Sequence, residues 1–504
     1  MGKLKEYIKN KKEEKANKPP KEIKKPKIWQ ALLVLGILVA SIAVGILIFD
    51  ADAHVPMLVG VAATAIMALF LGCKWEQIEK FMIDGIQKSL QSILILILIG
   101  VLVGVWIVAG IVPTMIYYGL AILKPQIFFL AALIICSISS LATGSSWGTM
   151  GTMGVALLGI GAGLNMPIGI TAGAIISGAY FGDKLSPLSD TTNLAPSMAG
   201  TDVMTHIKHM LPSTLITYVI CAIFFTIMGF IEYKGGSADV SKVQLYMDTI
   251  KDTFTISPLL FIPPIVVIVV IALKMPAIPG IAIGIFAGAI FGMLFGNCSL
   301  GDVFICGMDG YAANTGIAEI NDLLSNGGIM NMTFAISLIV VAMMFGGIME
   351  GTGLLGVLVN KIKRLAKGPT GLVAITEVTC ITSNIIVPDQ YISIIIPGRM
   401  YADEYREMEL SPSSLSNALE SAGTVTSALV PWNTCGAYIT SNLGVTVAQY
   451  GVWAVFNWMM PVVTIILSIF GLNIKDKDGV LLFKKRRMQK KEKKMKNDNV
   501  IIEK

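Results

Sequence analysis

The amino-acid sequence predicts an all-α polytopic membrane protein with roughly ten to fourteen membrane elements. Three observations predict it. Of 504 residues, 54% are hydrophobic and only 14% are charged, whereas a soluble globular domain carries about 25% charged residues. Apolar runs of about 18 residues or more recur along the chain, and about 20 helical residues cross a hydrocarbon core of about 30 Å. Between them lie polar segments rich in Gly, Pro and hydroxyl side chains that break spans in mid-course, which backbone at membrane depth tolerates only beside protein or trapped water. Such a composition excludes an ordinary soluble enzyme, a disordered chain and a disulfide scaffold.

Residues 1–28 form a basic N-terminal tail with 11 lysines against 4 acids. Its charged stretch is too long for a signal peptide, and the run that follows is long enough to span and lacks a small-residue cleavage site. A first membrane half is expected at 29–235, with apolar runs at 29–49, 55–73, 90–112 and 211–231. After a loop at 236–255, a second half covers 256–472, with runs at 261–273, 281–295, 332–349 and 453–472. Residues 473–504 form a second basic tail, with 12 Lys/Arg against 5 acids. The net charge of +6 therefore hides a division, because the chain between the tails has 16 basic and 24 acidic residues and is net −8. Lys/Arg excess marks cytoplasmic segments. Both termini are expected on the cytoplasmic side of the cell membrane, with an even number of crossings. The loops of Lys74, Lys80 and Lys88, and of Lys361, Lys363, Arg364 and Lys367, are expected on the same side. Polybasic flanks touch anionic lipid, so the lipid bilayer is an expected partner and nucleic acid is not.

Seven cysteines, at 73, 136, 221, 298, 306, 380 and 435, lie in apolar stretches without a CxxC pair and read as free packing thiols. His206 and His209 read as part of an interfacial loop, with a pH sensor as the alternative. A charge at mid-bilayer costs about 2.5–3.5 kcal/mol on insertion scales. Acids in apolar, Gly-rich surroundings therefore point to a wet cavity or a partner, and those acids are Asp183, Asp190, Glu350, Glu377, Asp389 and Glu420. Glu350, near a span end, also admits a structural reading.

Four polar clusters surround these acids. Residues 142–152 (ATGSSWGTMGT) break a span, although Gly148, Thr152 and Gly154 also fit a small-residue packing face. Residues 178–196 contain Pro187, a helix stop, and then five oxygen-bearing side chains in a row, Ser189, Asp190, Thr191, Thr192 and Asn193. Hard cations such as Na+ take oxygen ligands, and carbonyls unwound beside a helix break supply more. Asp183 and Lys184 are a candidate mutual pair, and a capped surface loop is the plainer reading of this segment. In the second half, residues 377–389 combine Glu377 and Asp389 with Ser383, Asn384 and Pro388, and residues 417–434 hold Glu420 and end in Pro431-Trp432-Asn433-Thr434. Ser146 precedes Asp190 by 44 residues and Asn384 precedes Asn433 by 49. This recurrence in order is the weak internal symmetry of a transporter built from two repeats whose broken helices meet at the midplane. There is no GxxxxGK[ST] for an ATP-driven pump and no HExxH for a metalloprotease. Gly182-Asp183 lacks the glycine that an intramembrane aspartyl protease motif wants at position 180, which is Tyr180. No enzyme and no cofactor are expected, and transport must run on ion gradients.

Phe181-Gly-Asp-Lys-Leu-Ser-Pro-Leu-Ser-Asp-Thr-Thr-Asn193, residues 310–316 (GYAANTG) with 323–328 (LLSNGG), and Phe345-Gly-Gly-Ile-Met-Glu350 resemble the NhaC-type sodium/proton antiporter family of the ion transporter superfamily. The likeness covers about residues 30–472. It implies secondary active transport, two inverted repeats and re-entrant hairpins. It maps polar hairpin tips onto Ser145-Ser146 and Ser383-Asn384, and broken helices onto residues 189–193 and Asn433-Thr434. The second half has Asn433 where the first has Asp190, so the two sites need not bind the same ion. The family includes exchangers of malate, lactate and amino acids, so the resemblance fixes mechanism more than substrate.

The expected function is Na+/H+ antiport across the cell membrane by alternating access. Asp190 and Asp389 are the expected carriers of Na+ or a proton. Ser146, Thr191, Asn193, Ser383, Asn384, Asn433 and Thr434 would complete an oxygen cage, and Asp183, Glu377 and Glu420 offer a proton path. Competition between Na+ and H+ for one carboxylate suffices for exchange. A coupled exchanger of small carboxylates or amino acids is the alternative. It wants positive potential, for which Lys184 is the one basic residue inside a core cluster, unless half-helix N-termini supply it. A passive cation channel would need rings of acids in a symmetric oligomer. Besides lipid and transported ions, the sequence leaves a homodimer open.

Overall fold

The computed structural model of the chain describes residues 25–49, 51–232, 240–273, 275–363 and 365–485. The expectations for the tails before residue 25 and after 485, for Arg364 and for residues 236–239 of the central loop lie outside the described residues. Within those residues the chain is helical, and its strand-like pairings are two isolated bridges, Leu410 with Asp476 and Lys475 with Leu481. Among the described residues seven helices are long and apolar enough to cross a membrane, or eight if a bent pair, Val243–Thr253 with Pro258–Val270, is one span. His54–Phe70, Ile111–Ile122 and Val455–Ile469 are shorter apolar helices. The chain is thus an all-α polytopic membrane protein.

The first half begins with α1 (Ile28–Phe49), α2 (His54–Phe70) and the amphipathic α3 (Trp75–Lys88). The apolar run 90–112 does not stay one helix. α4 (Leu90–Val108) ends because Gly110 takes φ +77°, and α5 (Ile111–Ile122) restarts beyond it; hydrophobicity does not carry a helix through a left-handed residue. Next come α6 (Phe128–Thr143), α7 (Ser146–Thr149), a π turn (Met150–Gly154) and α8 (Val155–Gly163). They are followed by α9 (Ile168–Leu185), α10 (Asp190–Ala199) and α11 (Val203–Glu232). The central loop holds a helix, α12 (Val240–Thr253), and the chain bends by 94° before α13 (Ile262–Ala272).

The second half continues with α14 (Ala277–Phe295), α15 (Leu300–Asp309), α16 (Ala318–Leu324), α17 (Gly328–Gly351) and α18 (Leu354–Lys363). α19 (Gly368–Ile386), α20 (Ile392–Glu407) and α21 (Pro412–Leu419) lead into a π turn (Glu420–Thr424) and a 3-10 turn (Val425–Leu429). α22 (Thr434–Leu443), α23 (Val447–Tyr450) and α24 (Val455–Ile469) complete it. One order of elements therefore recurs: helix, tip, helix, helix, break, helix. It runs α6, 144–145, α7–α8, α9, 186–189, α10, and again α19, 387–391, α20, α21, 430–433, α22.

Packing separates a scaffold from the polar elements. α17 lies against α2, α3 and α4, and α4 against α14 and α15. α9 lies along α6, and α24 packs on α9, α11 and α19. α17 also touches α22, which joins the two groups. Lys88 pairs with Glu350 at 2.6 Å at the half-exposed end of α17, which supports the structural reading of Glu350. All seven cysteines are free. One expectation changes. His206 and His209 are buried in the first turns of α11 rather than on a loop, with His206 Nδ1 2.8 Å from Ser416 Oγ and His209 Nε2 3.2 Å from Asn473 O. The described part of the expected C-terminal tail, 473–485, folds back: Ile474 is buried, the Lys475 carbonyl accepts from Ser411 N–H, and Lys477 N–H donates to the Glu409 carbonyl.

Candidate functional site

The site is built where two tips meet a helix break. α6 ends at Thr143, and Gly144 reverses the chain at φ +66°. A Cβ at Gly144 would lie 2.6 Å from the Leu188 carbonyl carbon, so glycine is what lets the tip abut the break between α9 and α10. Ser145 caps α7, its Oγ accepting from Gly148 N–H at 3.0 Å. At the break, Ser189 caps α10 by accepting from Thr192 N–H at 3.4 Å. The tip between α19 and α20 adds Gln390 and Tyr391. These segments enclose a cavity of about 340 Å³, with Ser92 and Ile95 of α4 on its far wall.

The cavity wall carries two carboxylates and several hydroxyls, and among the described residues that line it none is basic. Ser146 Oγ donates to Asp183 Oδ2 at 2.7 Å, and Asp183 is 5% exposed. Asp190, at the first position of α10, is exposed on the same wall. The charges of Asp183 and Asp190 act on each other, and Tyr391 lies within electrostatic reach of both and of Asp389.

Behind Thr191 lies a second polar group. Thr191 Oγ1 donates to Glu420 Oε1 at 3.1 Å and stands 3.1 Å from Ser189 Oγ. Because Ser189 Oγ already accepts from Thr192, a continuous donor chain runs from the α10 backbone through Ser189 and Thr191 to Glu420. Lys184 is fully buried and donates to Ser421 Oγ at 3.2 Å, with Glu420 and Glu377 as the carboxylates whose charge acts on it. Both Glu377 oxygens and Glu420 Oε2 have no hydrogen-bond partner among the described residues.

The residues expected to form one oxygen cage are divided between places. Ser146, Asp183, Asp190 and Thr191 meet at the cavity, whereas Asn193 is exposed on α10 and donates to the carbonyls of Pro187 and Ser189, at 2.9 and 2.6 Å. Asp389 is buried behind Tyr391. Its Oδ1 accepts from the N–H groups of Tyr391 and Ile392, at 2.9 and 3.1 Å, and its Oδ2 has no partner among the described residues. Asn384 and Asn433 bond each other at 3.1 Å, and Thr434 Oγ1 donates to Asn433 Oδ1 at 3.3 Å, away from the cavity wall.

Three sequence readings move. The second tip is Val387 to Tyr391, not Ser383-Asn384, which form the last turn of α19. Asn433 corresponds to Ser189 rather than Asp190, because each stands two residues after a proline and caps the helix that follows. Asp183 pairs with Ser146 and Lys184 with Ser421, since successive residues of a helix point about 100° apart. Gln390, Tyr391 and Ser92 were missed. The first two follow Pro388-Asp389 directly, which was a usable signal, whereas Ser92 is a single hydroxyl at the start of an apolar run.

Comparison with known proteins agrees with this architecture. Residues 178–472 match the Na+/H+ antiporter family. The malate-2H(+)/Na(+)-lactate antiporter of Bacillus subtilis is 36% identical over 451 residues, 90% of this chain and 96% of that protein. The Na(+)/H(+) antiporter NhaC of Alkalihalophilus pseudofirmus is 35% identical, over 90% of this chain and 97% of that protein. The arginine/ornithine antiporter ArcD of Halobacterium salinarum is 34% identical, over 90% and 94%. With the family matched over residues 178–472, more than half of the chain, and relatives above 30% identity covered nearly end to end, the chain belongs to the Na+/H+ antiporter family.

Proposed function

We infer that the protein exchanges Na+ for protons across the cell membrane by alternating access, with the tip-and-break cavity as the Na+ site. The observation that carries this reading is Asp183, a buried carboxylate hydrogen-bonded by Ser146, facing a cavity whose wall also holds Asp190 and the hydroxyls of Ser189 and Thr191. Two carboxylates with hydroxyls from Ser145, Ser189 and Thr191 suit a hard cation. Na+ and H+ compete there because a protonated carboxyl loses its charge for the ion. The path through Thr191 to Glu420, and on to the Lys184 and Glu377 charges, is the proposed route for protons. Asp389 would act from behind Tyr391 through its free Oδ2. The recurring element order supports two repeats, which we read as inverted.

A second reading has one observation in its favour. The N-termini of α10 and α20 meet at the cavity, and backbone dipoles there favour negative charge. An organic anion could occupy it together with Na+, as the name of the Bacillus subtilis relative suggests.

The test is reconstitution with an internal pH dye and addition of Na+, K+, Li+, malate, lactate or arginine singly. Na+ alone should move protons, and Asp183→Asn and Asp190→Asn should each abolish the signal in protein that still elutes as the wild type does. Proton movement that requires an organic anion would replace this reading by the second.

A further inference from the structure

A second cavity, of about 610 Å³, lies elsewhere along the same elements. Val155, Leu158 and Ala162 of α8, Asn326 and Asn331, and the C-terminal end of α22 from Thr440 line it. Among the described residues that line it none is charged, and its polar groups are hydroxyls and carboxamides among apolar side chains. Asn442 on its wall is fully buried, and neither polar atom of its side chain has a partner among the described residues. A buried amide left so is costly unless water or a passing ligand completes it.

The two cavities lie toward opposite ends of the membrane-spanning helices. α17 is 24 residues, roughly 36 Å long at 1.5 Å per residue. Asn331 and Phe334, near its start, line the second cavity, while Glu350 at its end pairs with Lys88, four residues before Ser92 of the first cavity. The helical run after the first tip gives the same answer: Trp147 lines the first cavity and Leu158 the second, roughly 16 Å further on.

An aromatic pair links the elements of both, because Trp147 lines the first cavity and Tyr438 stands two residues before Thr440 of the second. Trp147 stacks on Tyr438 with centroids 4.4 Å apart and planes 3° from parallel, and Tyr438 Oη donates to Trp147 O at 2.5 Å. The π turn Met150–Gly154 lies beside this pair, and Gly151 leaves the room that Tyr438 Oη occupies; such turns inside helices recur at functional sites.

We propose that the second cavity is the vestibule through which the cargo reaches the other side, and that the Trp147–Tyr438 stack is the gate, closed here, between it and the Asp183 site. The proposal rests on the transport reading above, but its test does not depend on which cargo is carried. Leu188→Cys marks the first cavity and Ser441→Cys the second. A membrane-impermeant thiol reagent is applied from each side of reconstituted vesicles, with the parent protein as the background for the native cysteines. Leu188→Cys should react faster from one side and Ser441→Cys faster from the other, the slower reaction of Leu188→Cys from the second side following the transport cycle. Adding Tyr438→Ala should make Leu188→Cys react equally fast from both. Should that variant fail to assemble, Tyr438→Phe, which removes only the bond to Trp147 O, should narrow the difference between the two sides. In a separate variant, Ala162→Trp fills the second cavity and should lose exchange while Na+-dependent thermal stabilisation of the detergent-solubilised protein persists. Faster reaction of both cysteines from the same side, an unreactive Ser441→Cys, unchanged sidedness in both Tyr438 variants, or full exchange by Ala162→Trp would each overturn the gate. If the wild type moves no protons with Na+ but the sidedness holds, the cargo assignment fails and the gate stands.

Discussion

Ser146 illustrates how one side chain can tune a site. Its hydroxyl, 2.7 Å from Asp183 Oδ2, fixes the direction of a carboxylate that has little solvent to orient it. A hydrogen bond to a charged group contributes about 1.5–3 kcal/mol. Ser146→Ala should therefore raise the KM for Na+ roughly tenfold, with less effect on the maximal rate, measured by Na+ titration of the pH-dye signal. An unchanged KM would place the ion away from Asp183. Thr191 has a different role, because its hydroxyl faces both Ser189 and Glu420. Thr191→Val keeps the shape and removes the donor to Glu420. It should slow proton-coupled exchange by more than it weakens Na+ binding, and an equal loss of both would make Thr191 an ion ligand instead.

At the scale of elements, the C-terminal hairpin ties the chain end to the polar core. Asn473 accepts from Asn417 Nδ2 at 3.0 Å, and Asn417 accepts from Ser421, which bonds Lys184. Asp476 organises the turn, accepting from Lys485 Nζ at 2.9 Å and from the N–H groups of Val480 and Asp478. The Lys485 hydrogen bond, helped by Val480, holds the Asp476 carboxyl below the usual carboxylate range. A depressed carboxyl pKa stabilises the folded hairpin above the ordinary Asp value, near 3.9, and that contribution is lost as pH falls through the lower folded value. Residues 476–485 should therefore keep their hydrogen-exchange protection from neutral pH down to about 4 and lose it below, after correction for intrinsic rates. Asp476→Asn should lose it already at neutral pH. The second tip teaches a related lesson. Pro388 and Asp389 were visible in the sequence, but which residues turn the chain depends on where α19 stops, and Ser383-Asn384 still satisfy helical bonds there.

For the whole molecule, charge sets the expectation that both basic tails lie in the cytoplasm. Tags at the two ends should both resist external protease in right-side-out vesicles, and digestion of one alone would require an odd number of crossings. The net −8 between the tails is spread over loops, scaffold and core, and a small part of it reaches the cavity. Apolar length, low charge and Pro-broken polar clusters by themselves determined an all-helical membrane transporter and singled out Asp183, Asp190, Thr191 and Ser146, because membrane burial makes every internal acid or unwound turn conspicuous. Tertiary structure alone decided which of these share a cavity. Asn193 turns back onto its own helix break, Asp389 caps α20, and Asn384 with Asn433 braces the second break. A polar side chain in a span must bond something, and whether that partner is backbone, another side chain or a transported ion depends on contacts between residues far apart in the chain, such as Thr191 with Glu420 and Trp147 with Tyr438.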